Sequence, residues 1–104
     1  MEVFIIMVIN KQSNGDELTI SLEGRLDTTT APQLEAEVSN SLAGVKKLVI
    51  DIEKLVYISS AGLRVLLKAQ KTMNKQGSME VCHVSDEIKD IFEVTGFNEI
   101  LNIV

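Results

Sequence analysis

The run Leu48-Val49-Ile50-Asp51-Ile52-Glu53-Lys54-Leu55-Val56-Tyr57-Ile58-Ser59-Ser60-Ala61-Gly62-Leu63-Arg64 holds the change of period that decides the fold. Its first part is crowded with Leu48, Val49, Ile50 and Ile52, interrupted by Asp51, and reads as a central strand over residues 47–52. Two serines then stand where the strand exit becomes a helix start. From Ser60 to Gln76 the pattern is helical, with Gly77 as its stop. Consecutive strands joined by a crossover helix are parallel, so the sheet is expected to be parallel here.

Working outward, residues 1–10 are apolar and β-branched without clean alternation, which fits a strand buried on both faces. Asn14-Gly15 marks a tight reversal. After it Leu18, Ile20 and Leu22 alternate with Thr19, Ser21 and Glu23, so the opening unit is an antiparallel hairpin. Leu34, Val38 and Leu42 then repeat every four residues and predict a helix from Ala31 to Ala43, stopped by Gly44. Thr30 and Gln33 have capping-box spacing at its start, and Pro32 falls in the first turn. Beyond Gly77, Met79, Val81 and His83 alternate as a strand. Ser85 caps a third helix with Asp86 and Glu87 in its first turn and Ile88, Ile91 and Phe92 on its buried face. Gly96 ends that helix, and Ile100 to Val104 reads as a short final strand. The expectation is one α/β domain over residues 1–104, with a mixed sheet and about three helices.

The sequence of 104 residues carries 15 acidic and 10 basic side chains, a net charge of -5, one cysteine and one histidine. A chain of this size buries about 60 to 70% of its unfolded surface around one core. Negative charge, with only Phe4, Tyr57, Phe92 and Phe97 as aromatics, supplies neither the electrostatic footprint nor the stacking surface for nucleic acid. A lone cysteine cannot form an internal disulfide, which points to the cytoplasm. The apolar run Val3 to Ile9 lacks the basic flank and cleavage site of a signal peptide, and nothing approaches the roughly 20 apolar residues of a membrane span.

No catalytic constellation emerges. Cys82 and His83 are neighbours in an expected strand, where adjacent side chains face opposite ways, and one of each is too few for a zinc site. The glycines at 15, 24, 44, 62, 77 and 96 punctuate elements rather than cluster around a phosphate. Asp27 and Asp51 each read as solvated or capping residues. No catalytic residue, metal or cofactor is expected.

The two serines admit two readings. Ser59 or Ser60 is an N-cap, a bond worth about 1 kcal/mol. Alternatively, the free N–H groups and the dipole of the helix start would stabilise a phosphate on a serine there. Arg64, four residues beyond Ser60, lies on the same side of the helix and opens a basic stripe with Lys68, Lys71 and Lys75. That stripe is either a solvated face or a surface for an acidic protein partner.

These residues together resemble the STAS domain of the bacterial anti-sigma factor antagonists in its small single-domain form. The resemblance rests on Gly24-Arg25-Leu26-Asp27, the following threonines, Leu48-Val49-Ile50-Asp51-Ile52, Tyr57-Ile58-Ser59-Ser60-Ala61-Gly62-Leu63-Arg64 and Thr95-Gly96-Phe97. It implies the STAS fold and a non-enzymatic regulator of transcription. In that family the serine two positions before the glycine is phosphorylated, which carries over to Ser60, with Ser59 as second choice. The unphosphorylated antagonist binds an anti-sigma factor that is itself a serine kinase and so frees the sigma factor. The kinase ends binding by phosphorylation, and a metal-dependent serine phosphatase reverses the mark. The implied partner surface comprises Asp27, Thr28, Ser59, Ser60, Ala61, Gly62, Leu63, Arg64 and Lys68, on a monomer or weak dimer. Many members carry an acidic residue where this chain has Ser59. The same fold also serves as a scaffold or regulatory subunit in stress-signalling assemblies and beside transporters, which is the alternative reading.

Overall fold

In a computed structural model, which describes residues 7–104, four strands form one sheet in the order β1-β2-β3-β4. β1 (Val8–Asn14) turns through Gly15, whose φ of 64° suits a residue without a Cβ, and β2 (Glu17–Leu26) returns antiparallel. After α1 (Ala31–Ser41), β3 (Lys47–Ile58) runs parallel to β2. After α2 (Ser60–Gln76), β4 (Ser78–Cys82) runs parallel to β3, and α3 (Asp86–Thr95) follows. The mixed sheet and three helices are those the sequence predicts.

Strand alternation assigns the two faces of the sheet. Leu18, Ile20, Leu48, Ile50, Met79 and Val81 enter one apolar cluster with Leu34 and Val38 of α1, Leu66 and Met73 of α2, and Ile88 and Phe92 of α3. Each such side chain contributes about 1.5 to 3 kcal/mol when fully buried. The intervening residues, among them Thr19, Ser21, Val49, Asp51, Glu80 and Cys82, occupy the opposite face and are half-buried.

Four expectations change. Met7 of the expected strand is buried, but β1 begins at Val8 and is an exposed edge, with Val8 42% exposed and only Ile9 half-buried, while residues 1–6 of the expected strand lie outside the described residues. β3 runs six residues beyond Ile52. Register shifts against β2 between Ser21 and Glu23, and again at Gly24, replace the period of two by a spacing of three in Ile52, Leu55 and Ile58. Thr30 makes no side-chain cap to α1, which ends at Ser41, and Gln33 donates instead to the Met7 carbonyl at 3.1 Å. The final strand is reduced to a single parallel bridge between Val81 and Ile103, after a 3-10 turn over Phe97–Glu99.

Two glycines, Gly62 in α2 and Gly77 just after it, mark places where the backbone has no space to yield. A Cβ on Gly62 would lie 2.6 Å from Leu26 Cγ and 3.0 Å from Ile58 Cγ1. One on Gly77 would lie 1.9 Å from the Lys46 carbonyl oxygen, an atom that also accepts from the Ser78 N–H at 2.9 Å. Overpacking typically costs about 1 to 3 kcal/mol. Thermal unfolding of Gly62→Ala should show a loss in that range, roughly 4 to 8 °C per kcal/mol for a domain near this size. Gly77→Ala should lose more, because its clash is with main chain rather than with movable side chains.

Candidate functional site at the start of the second helix

The ends of β2 and β3 lie side by side, with Leu26 paired to Ile58 and the Ser59 N–H donating to the Leu26 carbonyl at 2.9 Å. That contact brings the loop after β2 against the N-terminus of α2. Asp27 organises the loop. Its Oδ1 accepts from the Thr29 N–H at 3.0 Å, the Thr29 hydroxyl at 2.7 Å and the Thr30 N–H at 3.2 Å, and its carbonyl accepts from the Ala31 N–H at 2.8 Å. The buried Thr30 hydroxyl accepts from the Asp27 N–H at 2.8 Å and donates to the Arg25 carbonyl at 2.7 Å. This network, and not the Thr30/Gln33 pair, starts α1.

The hydroxyl of Thr29, opposed by desolvation and assisted by the backbone N–H groups of Thr30 and Thr29, holds the Asp27 carboxyl below the usual carboxylate range. Arg25 stacks its guanidinium 4.3 Å above the Tyr57 ring centroid, and its Nε lies 3.7 Å from Asp27 Oδ2. Neither Arg25 nor Tyr57 is among the site residues drawn from the sequence. The available signal is the strand register, which pairs them directly but is hidden by the irregularity at Gly24.

Ser60 is the first residue of α2 and is exposed. Ser59 occupies the N-cap with extended backbone (φ -100°, ψ 175°), yet its side chain caps nothing: Oγ is buried without a hydrogen-bond partner. The expected serine cap is therefore not made, and the first-turn N–H groups have no intrahelical acceptors. Thr28, Ala31, Glu35, Ala61, Arg64 and Lys68 line a groove of about 290 Å³ between α1 and α2. Lys68 Nζ lies 2.7 Å from Glu35 Oε1 across it, so this lysine also ties the two helices. Arg64, Lys68, Lys71 and Lys75 line a neighbouring depression, as their helical spacing predicts. Gly62 and Leu63 are buried and shape this surface from beneath instead of presenting side chains on it.

A second cluster overturns an expectation. β4 ends at Cys82, and His83 takes a left-handed conformation with φ 57°, so the strict alternation of a strand no longer separates the two side chains. His83 Nδ1 lies 3.0 Å from Asp51 Oδ1, and the ligating atoms of Asp51, Cys82 and His83 all fall within 4.8 Å of one another. Desolvation, then the carboxylates of Asp51, Glu80 and Glu53, push the Cys82 thiol up.

Because Asp27 stays ionised in the folded chain below the pH at which an unfolded aspartate protonates, its contribution to stability is complete at neutral pH. It is lost as pH falls from about 4 through the lowered value. Carboxyl-carbon NMR titration should place Asp27 below ordinary aspartates, and Thr29→Val should move it upward. An unshifted Asp27, or one indifferent to Thr29→Val, contradicts the assigned cause.

Comparison with known proteins places this fold in a family. The family model described as STAS domain matches residues 8–104. A Bordetella bronchiseptica protein, BtrV, named as a candidate anti-sigma factor antagonist, is 36% identical over 88 residues, 83% of this chain and 76% of its own. The anti-sigma-B factor antagonist of Listeria monocytogenes is 31% identical over 96 residues, 89% of this chain and 83% of its own. Among solved structures, the Bacillus cell fate determinant SpoIIAA in its phosphorylated form superposes with a TM-score of 0.73 at 18% identity, covering 93% of this chain and 91% of that one. The chain belongs to the STAS domain family, among relatives named as anti-sigma factor antagonists.

Proposed function

We propose that the chain is an anti-sigma factor antagonist that binds a serine-kinase anti-sigma factor and is released by phosphorylation of Ser60. The observation that carries the choice of residue is the contrast between the two serines: Ser60 is exposed, whereas Ser59 Oγ is buried. A kinase needs a hydroxyl that can leave the protein surface and enter its own active site. The family membership supports the partner, an anti-sigma factor, and the fold supports a rigid platform around the serine.

A phosphate on Ser60 adds about -1.5 to -2 charges. In the free protein it would sit at the positive end of α2, one turn before Arg64, where both the dipole and the guanidinium favour it. Inside a complex the same charge must be desolvated. Disrupting buried polar contacts at an interface costs about 2 to 5 kcal/mol, or roughly 30-fold to several thousand-fold in affinity. Modification would therefore dissolve the complex while leaving the antagonist folded. A metal-dependent serine phosphatase would restore the binding form, in the cytoplasm, on a monomer or weak dimer.

Ser60→Ala should bind the anti-sigma factor and resist phosphorylation, while Ser60→Asp should bind at least about 10-fold more weakly, as measured by calorimetry. Ser59→Ala should still be phosphorylated. Mass spectrometry that places the phosphate on Ser59, or unchanged phosphorylation of Ser60→Ala, rejects the assignment. If the basic surface meets an acidic partner, Arg64→Glu combined with Lys71→Glu should weaken binding more at low than at high salt. Equal binding at every ionic strength would place the partner elsewhere.

A further inference from the structure

The only cysteine and the only histidine of the chain converge with Asp51 on the face of the sheet turned away from the helices. We propose that Cys82 Sγ, His83 Nδ1 and a carboxylate oxygen of Asp51 bind a divalent ion of the zinc class, with the fourth position left to water. Thiolate, imidazole and carboxylate are the donor set such an ion selects, and three protein ligands with one open position is a regular zinc arrangement.

The geometry is prepared by the backbone. Asp51 and Cys82 are direct partners in the parallel pairing of β3 and β4, so their side chains share one face of a rigid sheet. His83 would face away if the strand continued. Its φ of 57°, the sole positive φ at a non-glycine among the described residues, goes with its approach to Asp51, at 3.0 Å. The Glu53 N–H donates at 3.0 Å to Asp51 Oδ1, the oxygen that His83 Nδ1 also approaches, and so orients the carboxylate, the kind of support that positions ligands in metal sites. Ligand bonds of about 2.0 to 2.3 Å place tetrahedral ligand atoms roughly 3.5 Å apart. The atoms here, within 4.8 Å of one another, need only side-chain rotation to close. His83 and Asp51 side chains are 58% and 24% exposed, so an ion reaches them from solvent.

The surrounding charge also favours a cation. The carboxylates of Asp51, Glu80 and Glu53 all lie near enough to act on Cys82, so a cation held there meets negative charge. On binding, the thiol releases its proton to solvent and sulfur donates the electron pair. The imidazole donates the Nδ1 pair while Nε2 carries its proton, and no oxidation state changes. Asp51 lies seven residues before the end of β3, well separated from Ser60, so the proposal stands independently of the phosphorylation switch.

The test is titration of the full, tag-free chain with Co²⁺ under a non-thiol reductant, followed by competition with Zn²⁺. One equivalent should produce a sulfur-to-cobalt charge-transfer band with tetrahedral visible bands, and Zn²⁺ should remove both. As the chain has one cysteine, the band reports Cys82 alone. Cys82→Ser should abolish it, and both Cys82→Ser and His83→Ala should weaken Zn²⁺ binding at least about 100-fold, at or beyond the 10- to 100-fold that loss of an outer partner costs. In the wild type the His83 ring resonances should shift with one equivalent of Zn²⁺, a readout that needs no variant. Absence of the charge-transfer band at millimolar Co²⁺, unshifted His83 resonances, or equal Zn²⁺ affinity in wild type and Cys82→Ser overturns the proposal.

Discussion

The site depends on how closely α2 begins against the ends of β2 and β3. The Ser59 N–H bonds the Leu26 carbonyl, and one turn further Gly62 passes so near Leu26 and Ile58 that a methyl group does not fit. That approach sets the Asp27 loop beside Ser60. Just past the far end of the helix Gly77 passes still nearer Lys46, the residue before β3. A helix packed this closely at both ends has little freedom to tilt. Its first turn is therefore a fixed platform, on which the proposed change of charge would act locally.

The elements that sequence patterning reads best are those with a single period and clear stops. α2 is legible in its bounds, because a helical period opens at Ser60 and Gly77 stops it, although the buried stripe within it admits one polar residue, Gln70. The second half of β3 is not. Its buried residues Ile52, Leu55 and Ile58 are spaced by three, a spacing imposed by irregular pairing with β2 that only the register reveals. The start of α1 was legible as a position but not as a mechanism. Asp27, three residues upstream of the expected Thr30 cap, takes up the donors of Thr29 and Thr30, and the Thr30 hydroxyl turns back toward Arg25.

Cys82 and His83 show the limit of face alternation as an argument. The rule holds only while both residues are extended, and one left-handed residue at the end of β4 cancels it. No composition or spacing reports that φ. Asp51 is equally silent in sequence, since its proximity to residues about 30 positions away comes from the β3–β4 pairing. The site around Ser60 is more legible because it lies along a continuous stretch, whereas the Asp51 cluster is made by tertiary contact alone.

The two surfaces differ in sign as well as position. The net charge of -5 is unevenly spread: Arg64, Lys68, Lys71 and Lys75 lie along α2, while Glu23, Asp51, Glu53 and Glu80 gather on or near the helix-free side of the sheet. An anion added at Ser60 thus meets a helix dipole and a basic stripe. The nearest acid of the neighbouring loop, Asp27, already has its Oδ1 committed to Thr29 and Thr30 and its Oδ2 near Arg25, which mutes its repulsion. The free protein can accept that charge at small cost. Under the proposed function, an interface that strips water from the same charge cannot, and that asymmetry between solvated and buried states would suffice for a switch without a second conformation.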